Sequence, residues 1–207
     1  MKIWLLDILA CPIDKYFPLK LYIFSFENTQ EQFQSLIDTY MKRDIEFIES
    51  EKVIETFSKD NELIVKDDII IEKTNLRLYI ESIKSSLKEF ENVYDKTNKQ
   101  QSPECFQIIN SEVKLRINSF SEKPDPNLFY SILPELYIIN KIKLNFEIKS
   151  GILFCSNCKR WYPIMDTIPQ MLPDKYRDKK KEIDFLQNHK NLIDAEFFNQ
   201  ELKPFTI

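Results

Sequence analysis

The stretch "FCSNCKRWYPI", residues 154–164, sets Cys155 and Cys158 at the spacing of a metal knuckle. A C-x-x-C turn brings both thiolates to one side of an ion, and a closed tetrahedral site then needs a second pair of ligands. The chain has four cysteines. The other two, Cys11 and Cys105, have no cysteine near them in sequence. The closest match to a second knuckle is "CPID", residues 11–14, where Asp14 stands in the place of a second cysteine and Pro12 suits the turn. A carboxylate is an accepted zinc ligand. Cys11, Asp14, Cys155 and Cys158 are thus a candidate structural zinc site joining two distant parts of the chain. The alternative is a metal-free ribbon, in which Asp14 pairs with Lys15, Lys159 or Arg160 and the cysteines are buried thiols or form a disulfide. A redox C-x-x-C needs a helix N-terminus to lower its thiol pKa, whereas this one leads into aromatic residues and a proline. Cys105 is expected to be a buried structural thiol.

Composition narrows the function. The chain has 207 residues, 43% hydrophobic and 30% charged, which suits one or two globular domains with a real core. It holds one glycine, Gly151, and one histidine, His189. A phosphate-cradling loop needs several glycines, so P-loop chemistry and the usual nucleotide-cofactor folds are not expected. Catalysis by a histidine-containing dyad or triad would have to use His189, which reads as an exposed position on a charged helix. These scarcities argue against an enzyme. The net charge of −4 argues against a dedicated nucleic-acid binder. No apolar run reaches the ~20 residues of a membrane span. The opening "MKIWLLDILACPIDK" reads as a mature N-terminus, because its apolar run is short and no small-x-small cleavage site follows. The low cysteine count places the chain in the cytoplasm.

The patterning predicts an α+β fold. Residues 3–10 read as a short helix with Trp4, Leu5, Ile8 and Leu9 on one face. Residues 18–24 read as a strand with Leu19, Leu21 and Ile23 on one side. Thr29 and Gln32 make a capping-box signature before a helical stripe of Phe33, Leu36, Ile37, Tyr40 and Met41. A second helix is expected from about Asn75 to Tyr94, with Leu76, Tyr79, Ile80, Ile83, Leu87 and Phe90 as its stripe. Between these helices "NELIVKDDIIIEK" reads as one or two strands. Residues 98–104 read as a polar loop, 111–120 as strand or helix, and 122–127 as a turn. "KIKLNFEI", 141–148, alternates like a strand. Gly151 reads as a turn into the next strand. The prolines of 162–174 allow only edge strands or extended segments. The tail reads as helical.

These residues carry a family resemblance. "LLDILACPIDKYFPLKLYIF" and "GILFCSNCKRWYPIMDTIPQMLPD" resemble the small zinc-ribbon-like methyltransferase activator proteins, the common partner subunit of several tRNA, rRNA and translation-factor methyltransferases. The closing "LKPFTI" is similar to the end of archaeal members. The resemblance covers residues 1–24 and 150–174, with the helix, the CP turn, the PL strand, CxxC, YPI, IP and MLPD in the family's order. It implies a small antiparallel zinc-ribbon-like sheet built from 1–24 plus 150–173, an inserted domain over 25–149 and a helical tail over 174–207. It also implies a non-catalytic subunit that forms heterodimers with S-adenosylmethionine-dependent methyltransferases, binds no S-adenosylmethionine itself and meets RNA only through the complex. The chain departs from the family at Asp14, where many relatives carry a metal-binding cysteine, and in the length of 25–149. An independent RNA-binding zinc ribbon is the alternative function.

Two surfaces are expected on this reading. Trp161, Tyr162, Ile164, Ile168, Pro169, Met171 and Leu172 are too many large apolar groups for a solvent-facing loop. They are the candidate methyltransferase-docking edge, with packing onto the insertion as the alternative. In "DKYRDKKK", 174–181, Lys175, Arg177, Lys179, Lys180 and Lys181 are candidate RNA-phosphate contacts or else a solvated helix face.

Overall fold

The computed structural model describes residues 1–60 and 62–206; Asn61, inside one expected strand region, and Ile207, the end of "LKPFTI", lie outside the described residues. The strands are β1 (Lys20–Phe26), β2 (Ile54–Lys59), β3 (Glu62–Asp67), β4 (Thr74–Asn75), β5 (Val93–Asp95), β6 (Ile148–Phe154), β7 (Trp161–Met165) and β8 (Ile168–Pro169). The α-helices are α1 (Gln30–Lys42), α2 (Ile45–Ser50), α3 (Leu76–Phe90), α4 (Gln101–Ile108), α5 (Lys114–Glu122), α6 (Leu133–Asn145), α7 (Lys179–Asn188) and α8 (Ala195–Phe198). The fold is α+β, as the patterning predicts, and the chain divides into two compact units.

The first unit comprises Met1–Glu27, Asn92–Lys99 and Glu147–Ile207. It holds a five-stranded sheet in the order β5-β1-β6-β7-β8. All neighbours are antiparallel except β1 and β5, where Leu21 sits opposite Val93 in parallel register. That parallel strand comes from inside the stretch read as insertion. It is too short for periodicity to mark, and the helix expected to reach Tyr94 stops at Phe90. Side chains alternate across the sheet. Tyr22, Phe24, Ile152, Phe154 and Trp161 pack with Leu186, Ile193, Phe197 and Leu202 of the tail. The tail therefore belongs to this unit's core. Leu21, Ile23, Leu153, Tyr162 and Ile164 are buried on the opposite face.

Several local expectations are corrected. The opening helix is a 3-10 turn, Ile3–Asp7, which buries Ile3 and Leu6. Its three-residue repeat replaces the 3.6-residue face and leaves Ile8 exposed. Gly151 is no turn. It lies within β6, where a Cβ would stand 2.5 Å from the Tyr22 carbonyl oxygen. The close backbone approach, beside a register shift near Ser25, explains why this position is glycine. His189 ends α7 and stacks on Phe24 with ring centroids 4.7 Å apart, so it is half-buried rather than a free surface residue.

The second unit comprises Asn28–Glu91 and Gln100–Phe146. Gln32 accepts from the Thr29 N–H at 2.9 Å, completing the expected capping box of α1. Asn75 caps α3 through Leu78 N–H, and all six stripe residues of that helix are buried. Residues 98–104 are not all loop, because α4 starts at Gln101. Pro103 sits in its first turn, where no intrahelical N–H is required. A π-helical turn, Ile109–Val113, joins α4 to α5. Residues 141–145 continue α6 rather than forming a strand. Ile138, Ile139, Ile142 and Phe146 recur at helical spacing and are all buried. Burial around most of the α6 circumference removes the polar face that would mark it as a helix in sequence. Two buried acids anchor the unit. Glu135 receives a two-pronged bond from Arg43 at 2.7 and 3.1 Å. Asp67 accepts from Tyr79 Oη at 2.6 Å, Asn140 Nδ2 at 2.9 Å and the N–H groups of Ile69 and Ile70. A buried carboxylate is tolerated only with its oxygens satisfied in this way.

Candidate metal centre and docking edge

The two knuckles are structural twins. In the first, Cys11 N–H donates to Tyr16 O at 3.0 Å and Lys15 N–H to Cys11 O at 2.9 Å. In the second, Cys155 N–H donates to Arg160 O at 2.8 Å and Lys159 N–H to Cys155 O at 3.0 Å. Lys15 and Lys159 share a left-handed φ of 61°. Aligned on these bonds, "CPIDKY" places Asp14 at the position of Cys158.

The four side chains meet. Their ligand atoms all lie within 4.8 Å of one another. Cys11 Sγ is 3.6 Å from Cys158 Sγ, and Cys155 Sγ is 3.6 Å from each Asp14 carboxylate oxygen. Tetrahedral zinc with bonds of about 2.0–2.3 Å requires ligand separations of roughly 3.3–3.8 Å. The donor set fits such an ion, and so do the 3.6 Å separations of Cys11 from Cys158 and of Cys155 from Asp14. Around the four side chains, Asn157 Nδ2 donates to Asp14 Oδ2 at 2.8 Å and Tyr16 N–H to Asp14 Oδ1 at 3.1 Å. The Tyr162 hydroxyl is 3.3 Å from Cys11 Sγ. These contacts orient the ligands, as outer-sphere groups do in metal sites. Burial pushes the Cys11 thiol up and the Cys155 thiol to about 12, whereas hydrogen bonds, first from Cys11 and then from Asn157, hold the Asp14 carboxyl well below its ordinary range. A cation would reverse the thiol preference, since a coordinating thiol is deprotonated. The proposed Asp14 ion pairs are not formed with Lys15 or Arg160. Lys15 Nζ bonds to Pro12 O, and Arg160 is bound by Asp174 at 2.8 Å. None of the four cysteines forms a disulfide among the described residues.

The expected docking residues separate into two groups. Trp161, Tyr162 and Ile164 are fully buried in the sheet core and present nothing to a partner. Ile168 and Leu172 are 60% and 43% exposed, with Pro169 and Met171 half-buried beside them. Nor does β7 offer a free edge. Of its outward-facing groups, Trp161 N–H donates to Lys203 O, Trp161 O accepts from Arg177 Nη2, and Pro163 O accepts from Gln170 N–H. Met165 pairs with Ile168 of β8. The hairpin turns at Asp166 and Thr167, with φ of 46° and 67°, the left-handed pair that a two-residue turn demands.

The basic run divides similarly. Lys175, Lys179, Lys180 and Lys181 are exposed. Arg177 is buried. It bonds to Glu182 and to Trp161 O, and its guanidinium lies within 5.6 Å of the Trp161, Tyr162 and Phe205 ring centres. It leaves the set of phosphate contacts. Sequence reasoning missed Asn157, Arg177's structural role and the packing of the closing segment Leu202–Phe205 against β7. The matching Lys15 and Lys159 registers were the available signal for the twin turns.

The family model of Trm112p-like proteins matches residues 2–166, most of the chain and both knuckles. No curated protein matches, and no solved structure matches. The chain belongs to the Trm112p-like family, which associates with methyltransferases in an activating role.

Proposed function

We propose that this chain is a non-catalytic subunit that binds and stabilises S-adenosylmethionine-dependent methyltransferases acting on tRNA, rRNA or translation factors, as a cytoplasmic heterodimer. The observation that carries the reading is the apolar run that starts on the terminal strand of the ribbon sheet, with Ile168 and Leu172 exposed and Pro169 and Met171 half-buried between them, in a chain of this family. A short edge strand bearing large apolar side chains is a surface that a partner covers. A strand of the methyltransferase lies beside β8, and the apolar run fills pockets on it. Buried Trp161, Tyr162 and Ile164 form the platform beneath. The S-adenosylmethionine site belongs to the partner, since one glycine does not build a nucleotide-cradling loop.

Zinc held by Cys11, Asp14, Cys155 and Cys158 has a structural role on this reading, because four protein ligands leave no position open to water. It ties the N-terminal turn to β6 and β7 and so fixes the platform. Lys175, Lys179, Lys180 and Lys181 extend the partner's RNA-binding surface. The first unit is the docking unit, and the unit built from the insertion is a separate domain. Affinity purification with mass spectrometry tests the reading: co-purifying methyltransferases support it, and RNA recovered without a methyltransferase supports the independent RNA-binding ribbon instead.

A further inference from the structure

The outer side of β7 is closed at its Trp161 end by the chain's own closing segment. Arg160 and Lys203 form an isolated parallel bridge. Lys203 N–H donates to Lys159 O at 2.9 Å, Trp161 N–H to Lys203 O at 3.3 Å, and the Trp161 indole N–H to Phe205 O at 3.0 Å. Leu202 is buried in the apolar cluster and Phe205 packs against it. This strap has one bridge and no ladder among the described residues. Such segments open locally at low cost compared with a sheet interior. It also leaves one group unsatisfied. Arg177 Nη1 is buried with no hydrogen-bond partner among the described residues, while Phe205 presents only its ring to that guanidinium. A buried N–H without an acceptor is costly.

We propose that the strap, Leu202–Phe205, is a displaceable occupant of a strand-docking site, and that an extended segment of the methyltransferase takes its place in the complex. The inference rests on the activator reading above. The strap itself defines the chemistry of the incoming segment. It runs parallel to β7, carries apolar side chains at two positions three residues apart, and offers a main-chain donor and acceptor between them, as Leu202, Lys203 and Phe205 do. It adds an acceptor, a carbonyl or carboxylate oxygen, for Arg177 Nη1, which the strap does not supply. That extra bond favours the partner over the strap. The site continues the proposed docking edge, because β8 and the strap lie on the same outer side of β7. The strap lies beyond the residues matched by the family model.

A closed strap reduces apparent affinity by the fraction of open chain. The test is amide hydrogen exchange on the full chain, free and bound to the methyltransferase that co-purifies with it. In the free chain Lys203 N–H should exchange at least ~10-fold faster than the ladder amides of Tyr22 and Leu153. In the complex Lys203 should lose its remaining protection while Trp161 N–H gains it. Full-length Leu202→Ser/Phe205→Ser should bind the same methyltransferase about tenfold more tightly, as expected for a closed fraction near 90%. Unchanged or increased protection at Lys203 in the complex overturns the proposal and leaves the activator reading standing, as does equal or weaker binding by a folded double variant. If that variant does not fold, exchange in the unaltered chain decides. If neither form captures a methyltransferase, the activator reading itself fails and the strap proposal with it.

Discussion

Replacing Gly151 with alanine tests why the chain keeps its one glycine in mid-strand. The new Cβ would stand 2.5 Å from the Tyr22 carbonyl oxygen and 3.4 Å from Ile164 Cδ1. The 2.5 Å contact is with backbone, so no side-chain rotation relieves it. β1 and β6 must part by several tenths of an ångström where Tyr22 faces Ile152 and Ile23 faces Gly151. Overpacking of this kind costs about 1–3 kcal/mol, and a weakened ladder bond adds roughly 1 kcal/mol. Reduced freedom of the unfolded chain returns about 0.4–1 kcal/mol. The net loss is about 1–3.5 kcal/mol, or roughly 2–14 °C in Tm for a chain of this size. Trp4 and Trp161, the chain's two tryptophans, both lie in the ribbon unit. Tryptophan fluorescence during thermal unfolding therefore reports that unit. A Gly151→Ala chain as stable as the parent would refute the close-approach argument.

Protein purified without chelator should hold about one zinc per chain, Asp14→Cys should keep it, and Asp14→Ala should lower zinc affinity; less than ~0.1 equivalent in the parent chain favours the metal-free ribbon. Alkaline pH should destabilise both units. Burial raises Tyr22 of the ribbon unit and Tyr40 of the inserted unit to about 12. Their unfolded phenols ionise near ~10, so the unfolded state loses protons first. Stability is fully present below pH ~10 and falls as pH rises towards ~12. A urea midpoint that stays constant from pH 8 to pH 11.5 would contradict this. Changing Lys175, Lys179, Lys180 and Lys181 to alanine should weaken RNA binding by the complex and flatten its salt dependence. Unchanged affinity and slope would make the run a solvated face.

Much of this architecture was legible in the sequence. The two knuckles, the Thr29–Gln32 cap and the stripe of α3 depend on local spacing, and local spacing survives into the structure. The candidate ligand cluster was readable for the same reason, because Asp14 and Cys158 occupy matching positions in two turns of one geometry. What stayed illegible depends on tertiary context. Leu133–Asn140 is buried all round, Glu135 and Asn140 included, so α6 has no amphipathic signature and its last turn mimics a strand. Val93–Asp95 becomes a strand only because β1 offers it an edge. Trp161, Tyr162 and Ile164 have the same apolar character as Ile168 and Leu172. Only the covering layers, the tail on one face of the sheet and the N-terminal turn near Cys11, separate core from surface.

The central claim, an activating partner that docks through Ile168–Leu172, is tested most directly by reconstitution. The methyltransferase that co-purifies with this chain is expressed alone, with the parent chain, and with an Ile168→Asp/Leu172→Asp variant whose tryptophan fluorescence matches the parent. Soluble yield and methyl transfer from labelled S-adenosylmethionine are measured for each. The account predicts a soluble, active enzyme only with the parent chain, and a loss of at least ~1.4 kcal/mol of binding, tenfold in affinity, for the variant. An enzyme equally soluble and active alone, or equally supported by the variant, would contradict it.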